Sequence, residues 1–127
     1  MSTAAVCRIA GGVLVLLVGA AIGAGGLQLW RGGPRAWPDV IADKATVQRT
    51  SGGMIVMAVL LLVVGVAATG NLPWGGWAAA ISTIVVVLAA FWANNALFGN
   101  MRLWHTGTNV VVAAIIFALL WIGYNVD

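Results

Sequence analysis

Residues 9–30, IAGGVLVLLVGAAIGAGGLQLW, run for 22 positions without a charge. At 1.5 Å per residue such a helix is about 33 Å long, enough to cross a hydrocarbon core of about 30 Å. A secretory signal peptide has a shorter apolar region, roughly 7–15 residues. This run is longer and closes on Gln28 and Trp30, the latter a residue type of the membrane–water interface. The sequence therefore predicts a retained membrane helix; a signal peptide cleaved near Gly19-Ala20-Ala21 is the competing reading. Gly12, Gly19, Gly23 and Gly26 fall at offsets 0, 7, 11 and 14, which is one helical face. Small residues on one stripe let another backbone come close. Packing within the chain is the expected use of that stripe, with a homodimer seam as the alternative.

The rest of the chain fits the same solvent. Of 127 residues, 62% are hydrophobic and 7% charged, and the mean hydropathy is +1.05. Soluble domains carry about 25% charged residues, and a chain of this length cannot bury so much apolar surface in water. Residues 1–127 read as a single membrane domain. The net charge of +3 comes from basic residues beside apolar runs, which signals membrane topology rather than nucleic-acid binding. One cysteine, Cys7, allows neither an intrachain disulfide nor a cysteine-based zinc cluster. No apolar run precedes it, as a lipoprotein signal requires, so it reads as a small residue near the membrane surface.

Three further spans are expected at about residues 52–72, 78–98 and 106–124. Thr50 and Ser51 are the expected N-caps of the second, and Gly52-Gly53 and Gly75-Gly76 read as turn glycines. Residues 31–51 form the long polar connection, with Arg31, Arg35, Lys44 and Arg49. Gly32-Gly33-Pro34 should end the first helix. Pro38-Asp39 should begin a short interfacial helix over about 38–48, with Trp37 at headgroup depth. Residues 71–77 make a tight uncharged turn bearing Trp74 and Trp77. The fold class is thus all-α: an integral membrane four-helix bundle, up-down-up-down, with a short interfacial helix between the first two spans. Five of the six basic residues fall on the face holding residues 31–51 and 99–109, and Arg8 alone on the other. Positive residues favour the cytoplasmic side, so both termini are expected outside a bacterial inner membrane.

Polar residues concentrate in residues 91–109, which hold Asn94, Asn95, Asn100, Asn109, Arg102 and the single histidine, His105. Asn94 and Asn95 point about 100° apart on a helix, so one of them can meet Asn109. The group reads either as a structural hydrogen-bond cluster or as a ligand or ion site. His105 is the side chain that titrates near neutrality; an interfacial position competes with haem or quinone binding. No Asp, Glu, Lys or Arg falls within the predicted spans, which argues against a carboxylate-driven proton relay. No metal cluster, catalytic triad or phosphate-binding loop is visible, and neither a metal nor a cofactor is expected.

The layout of four spans in under 140 residues, with Arg49 and the glycines Gly52 and Gly53 leading into the second, resembles the DoxX-like small bacterial membrane proteins. The acidic residue often found in span two of that group has no counterpart here, so no functional residue follows from the likeness. The expected function is non-enzymatic: an accessory or assembly subunit of a larger membrane system, with the bilayer and either a second copy or a membrane complex as partners. The alternatives are an oligomeric channel or transporter with Asn94, Asn95 and Asn109 along its path, and an anchor subunit of a redox complex with His105 near a haem or quinone.

Overall fold

A computed structural model describes residues 2–35, 42–98 and 103–125. The described chain is helical: α1 (Thr3–Gly32), a 3-10 turn (Gly33–Arg35), α2 (Lys44–Thr69), α3 (Gly75–Phe98) and α4 (Leu103–Asn125). Three of the helices are long and apolar enough to cross a membrane, within Thr3–Arg35, Lys44–Thr69 and Gly107–Asn125. In α3, which has 24 residues, the described apolar stretch is Ala80–Ala93. α1, with 30 residues, extends about 45 Å, longer than the roughly 30 Å of a hydrocarbon core.

Each helix ends where its residues dictate. Ser2 caps α1, its hydroxyl accepting the N–H of Ala5 at 3.1 Å. At the far end Gly33 takes φ 62°, a left-handed conformation that glycine adopts without strain, and Pro34 follows. α2 begins at Asp43, whose carboxylate accepts the N–H of Thr46 at 2.9 Å. Its far end is a Schellman motif. Asn71 sits at φ 59°, Asn71 N–H donates to Ala68 O at 3.2 Å and Leu72 N–H to Ala67 O at 3.0 Å.

The start of α2 corrects three sequence expectations. Lys44 to Gln48, the described helical part of the expected interfacial helix, is the first turn of α2 and runs into it without a break. Residues 38–41 lie outside the described residues. Thr50 and Ser51 are not caps: both are buried within the helix, and Ser51 Oγ donates to Gln48 O at 3.0 Å. Gly52 and Gly53 are likewise helical, because a capped start at Asp43 commits the backbone before it reaches them. The indole of Trp92 on α3 occupies the space a side chain at Gly53 would need.

α1 and α2 share the largest interface, and α1 also packs on α4, α3 on α4 and α2 on α3. The glycine stripe explains the first pairing. A Cβ on Gly19 would lie 3.0 Å from Leu61 Cβ, one on Gly23 3.2 Å from Ala58 Cβ, and one on Gly26 3.2 Å from Ser51 O. Residue numbers fall on α2 as they rise on α1, so the two helices are antiparallel. At Gly12 and Gly65 both helices lack a side chain, and a Cβ at either would come within 3.1 Å of the other's carbonyl oxygen. The interior holds Leu29, Leu61, Ile116 and Leu120 together with alanines, including Ala58, Ala67, Ala68, Ala78, Ala89 and Ala113. Leu17, Val56, Val66, Ile84, Leu88 and Val111 face outward, each more than half exposed. The close approach of α1 and α2 at their glycines suits a solvent of lipid, where backbone packing replaces the hydrophobic drive.

Candidate functional site

The expected polar stretch is spread over the facing ends of α3 and α4. Asn95 is exposed in the last turn of α3, and Asn109 is half-buried near the start of α4. Asn94 and His105 belong to those same helices, but their side chains, and Arg102 altogether, lie outside the described residues. Among the described residues, no three His, Cys, Asp or Glu side chains come together to hold a metal ion.

A different cluster is built at the opposite end of α2, around Arg8. The sequence reading placed this residue before the first span. Because α1 begins at Thr3, Arg8 is instead a helical residue, partly buried against α2. Its Nη1 donates to Ala68 O and to Thr69 O, both at 2.7 Å. Carbonyls in the last turn of a helix lack intrahelical partners, and the helix dipole gives that end partial negative charge. The Schellman bonds engage Ala67 and Ala68; Arg8 supplies charge-assisted bonds to Ala68 and to the remaining Thr69 carbonyl.

Two further residues fix this arrangement. Tyr124, near the end of α4, directs its hydroxyl to Ala67 O at 3.5 Å, a long and weak bond. One residue earlier, Gly123 lies directly on α1: a Cβ there would stand 2.5 Å from Arg8 Cα and 2.6 Å from Arg8 N. One turn along α1, Gly11 receives Leu120, and the buried ring of Val15, Leu61, Val64, Ile116 and Leu120 begins there. Thr69 completes the group by donating from Oγ1 to Gly65 O at 2.8 Å.

The Arg8 cluster joins three helices through one guanidinium and one phenol, both bonded to backbone carbonyls. Those contacts tie α1 and α4 to the end of α2. Sequence reading passed over it because the acceptors are main-chain atoms, which no residue pattern marks. The available signal was geometric: antiparallel threading puts Arg8, Thr69 and Tyr124 at one level. Beside the cluster, Val59, Leu62, Val63, Val66, Leu72 and Trp74 line an open groove of about 420 Å³. Its walls are apolar, as for a surface that faces acyl chains. No protein-family model, curated protein or solved structure matches the chain.

Proposed function

We propose that the chain is a non-enzymatic four-helix protein of a bacterial inner membrane, threaded up-down-up-down with both termini outside. It acts as an accessory or assembly subunit of a larger membrane system. The observation that carries this reading is how the interior polar groups are used. Ser82 Oγ donates to Ala78 O at 2.7 Å, Ser51 to Gln48 O, Thr69 to Gly65 O, and Arg8 to the end of α2. These groups bond to the protein's own backbone, and aliphatic and small residues pack the space between the helices, an arrangement that favours a scaffold over a conduit. The large exposed aliphatic side chains lie on all four helices and are available to lipid or to neighbouring helices.

Extraction of native membranes in a mild detergent tests the reading. A subunit of a larger system elutes in an assembly well above its own 13.1 kDa, and mild detergent exchange leaves that assembly intact. Solute flux through liposomes holding the purified chain alone, abolished by Asn95→Ala or Asn109→Ala, would replace it with the channel reading. A haem absorption band that disappears in His105→Ala would replace it with the redox-anchor reading.

A further inference from the structure

The other end of the α1–α2 pair holds a hollow of about 510 Å³ with a different character. One wall is Trp30, Arg31 and the turn through Gly33 and Arg35; the other is Lys44 and Gln48. We propose that this hollow binds a phosphate group, and that an anionic membrane lipid supplies it.

Three observations converge on phosphate. Three of the chain's six basic residues, Arg31, Arg35 and Lys44, line one concavity. Arginine matches phosphate oxygens with a planar fork of N–H donors, and lysine adds a mobile point charge. The acid nearest in sequence among the described residues, Asp43, is turned to Thr46 N–H and does not line the hollow. Lys44 and Gln48 are four apart on α2 and so share a face; the Gln48 amide adds a neutral donor beside the charges. The volume is within the range of small-molecule sites.

The hollow is also held in shape. Leu29 and Val47, fully buried, pack together with Met54. Trp30 follows Leu29 and Gln48 follows Val47, so one apolar contact sets the spacing of the two walls. Gly32 and Gly33 put no side chain into the space between, and φ 62° at Gly33 turns the chain across its end.

Depth selects lipid as the source. Trp30 is half exposed at the rim, the placement of an interfacial tryptophan, and the apolar outer surface of α1 and α2 begins below it at Leu27 and Val56. A headgroup phosphate in the hollow leaves its acyl chains along that surface. Basic pockets between membrane helices bind lipid headgroups in this manner. The inference rests on the membrane placement proposed above.

Native mass spectrometry of the full chain in an uncharged detergent tests it, with phosphatidylglycerol and phosphatidylcholine added in equal amounts. The wild-type chain should retain one phosphatidylglycerol in preference to phosphatidylcholine. Arg31→Gln, Arg35→Gln and Lys44→Gln should each weaken retention about fivefold, the loss of one charge-assisted contact to the phosphate. Arg49→Gln, at the same end but outside the lining, should not. Circular dichroism verifies that each variant is folded. Equal retention by wild type and the three lining variants overturns the site, as does an equal loss in Arg49→Gln. Displacement of the lipid by millimolar inorganic phosphate keeps the phosphate site and overturns lipid as its source. Membrane fractionation separates the two levels: chain found in the aqueous fraction overturns the placement, whereas membrane-bound chain with indifferent variants overturns only the hollow.

Discussion

At one end of the α1–α2 pair, Arg8 commits Nη1 to the carbonyls of Ala68 and Thr69. At the other, the exposed Arg31, Arg35 and Lys44 line an open hollow. The side-chain chemistry is similar and the surroundings differ. Arg8 is partly covered where α1, α2 and α4 converge, so its charge must be satisfied by the protein. The three cations at the opposite end reach the surface, where water or an anion satisfies them. A count of positive residues on each side of a membrane treats these as equivalent. Their packing does not: removing Arg8 should unsettle the bundle, whereas removing the others should alter only what it binds.

The largest effect is expected where the Arg8 end is tightest. Gly123→Ala drives a methyl group into the backbone of α1 beside Arg8, and helix backbones yield less readily than side chains. Overpacking of this kind costs about 3 kcal/mol, read as the shift in the unfolding midpoint during titration from mild detergent into dodecyl sulfate. A midpoint equal to that of the wild type would show that α1 and α4 do not approach so closely.

Arg8→Ala comes next. It removes two charge-assisted bonds and leaves the Thr69 carbonyl without its partner, for a loss of about 2 kcal/mol in the same titration. Arg8→Lys keeps the charge but replaces the paired donors with one compact ammonium, and should recover about half of that. If Arg8→Lys matches the wild type, the charge alone matters and the two-carbonyl geometry does not.

By contrast, Arg31→Gln or Arg35→Gln should move that midpoint by less than about 0.5 kcal/mol, as exposed substitutions do. A loss as large as that of Arg8→Ala would erase the distinction between the two ends.

These expectations mark what the sequence could disclose. The all-α class and three helices long and apolar enough to cross a membrane were legible because apolar runs of sufficient length have few other solvents. The glycine face of α1 was legible too, since offsets of 7, 11 and 14 fall on one side of a helix whatever that side meets. The start of α2 was misread because Thr50-Ser51-Gly52-Gly53 has the composition of a cap and turn. Its helical state follows from the cap at Asp43, seven residues earlier, while the glycine at 53 leaves room for Trp92, a distant residue on α3. Arg8 stayed hidden because its partners are carbonyls, and a carbonyl's availability depends on where a helix stops. The hollow at Arg31 and Lys44 was visible as charge but not as shape, since its walls belong to different helices.

The smallest effect concerns the cap that fixes the hollow's second wall. The hydrogen bonds from Thr46, with a lesser contribution from the charge of Arg49, hold the Asp43 carboxyl below its ordinary value of 3.8. A carboxylate with a lowered folded value stabilises the helix start at all pH values above the unfolded value. That contribution is lost as pH falls through the folded value, below 3.8. The Thr46 amide, whose N–H the carboxylate accepts, should therefore shift in nuclear magnetic resonance spectra with a midpoint under 3.8, while amides in the middle of α2 stay constant. Asp43→Asn retains an acceptor oxygen and loses the charge, so it should abolish the titration and keep most of the cap. A flat Thr46 signal in the wild type would mean that the carboxylate does not make this bond. Lys44 and Gln48 would then lack the capped first turn that sets them on one face.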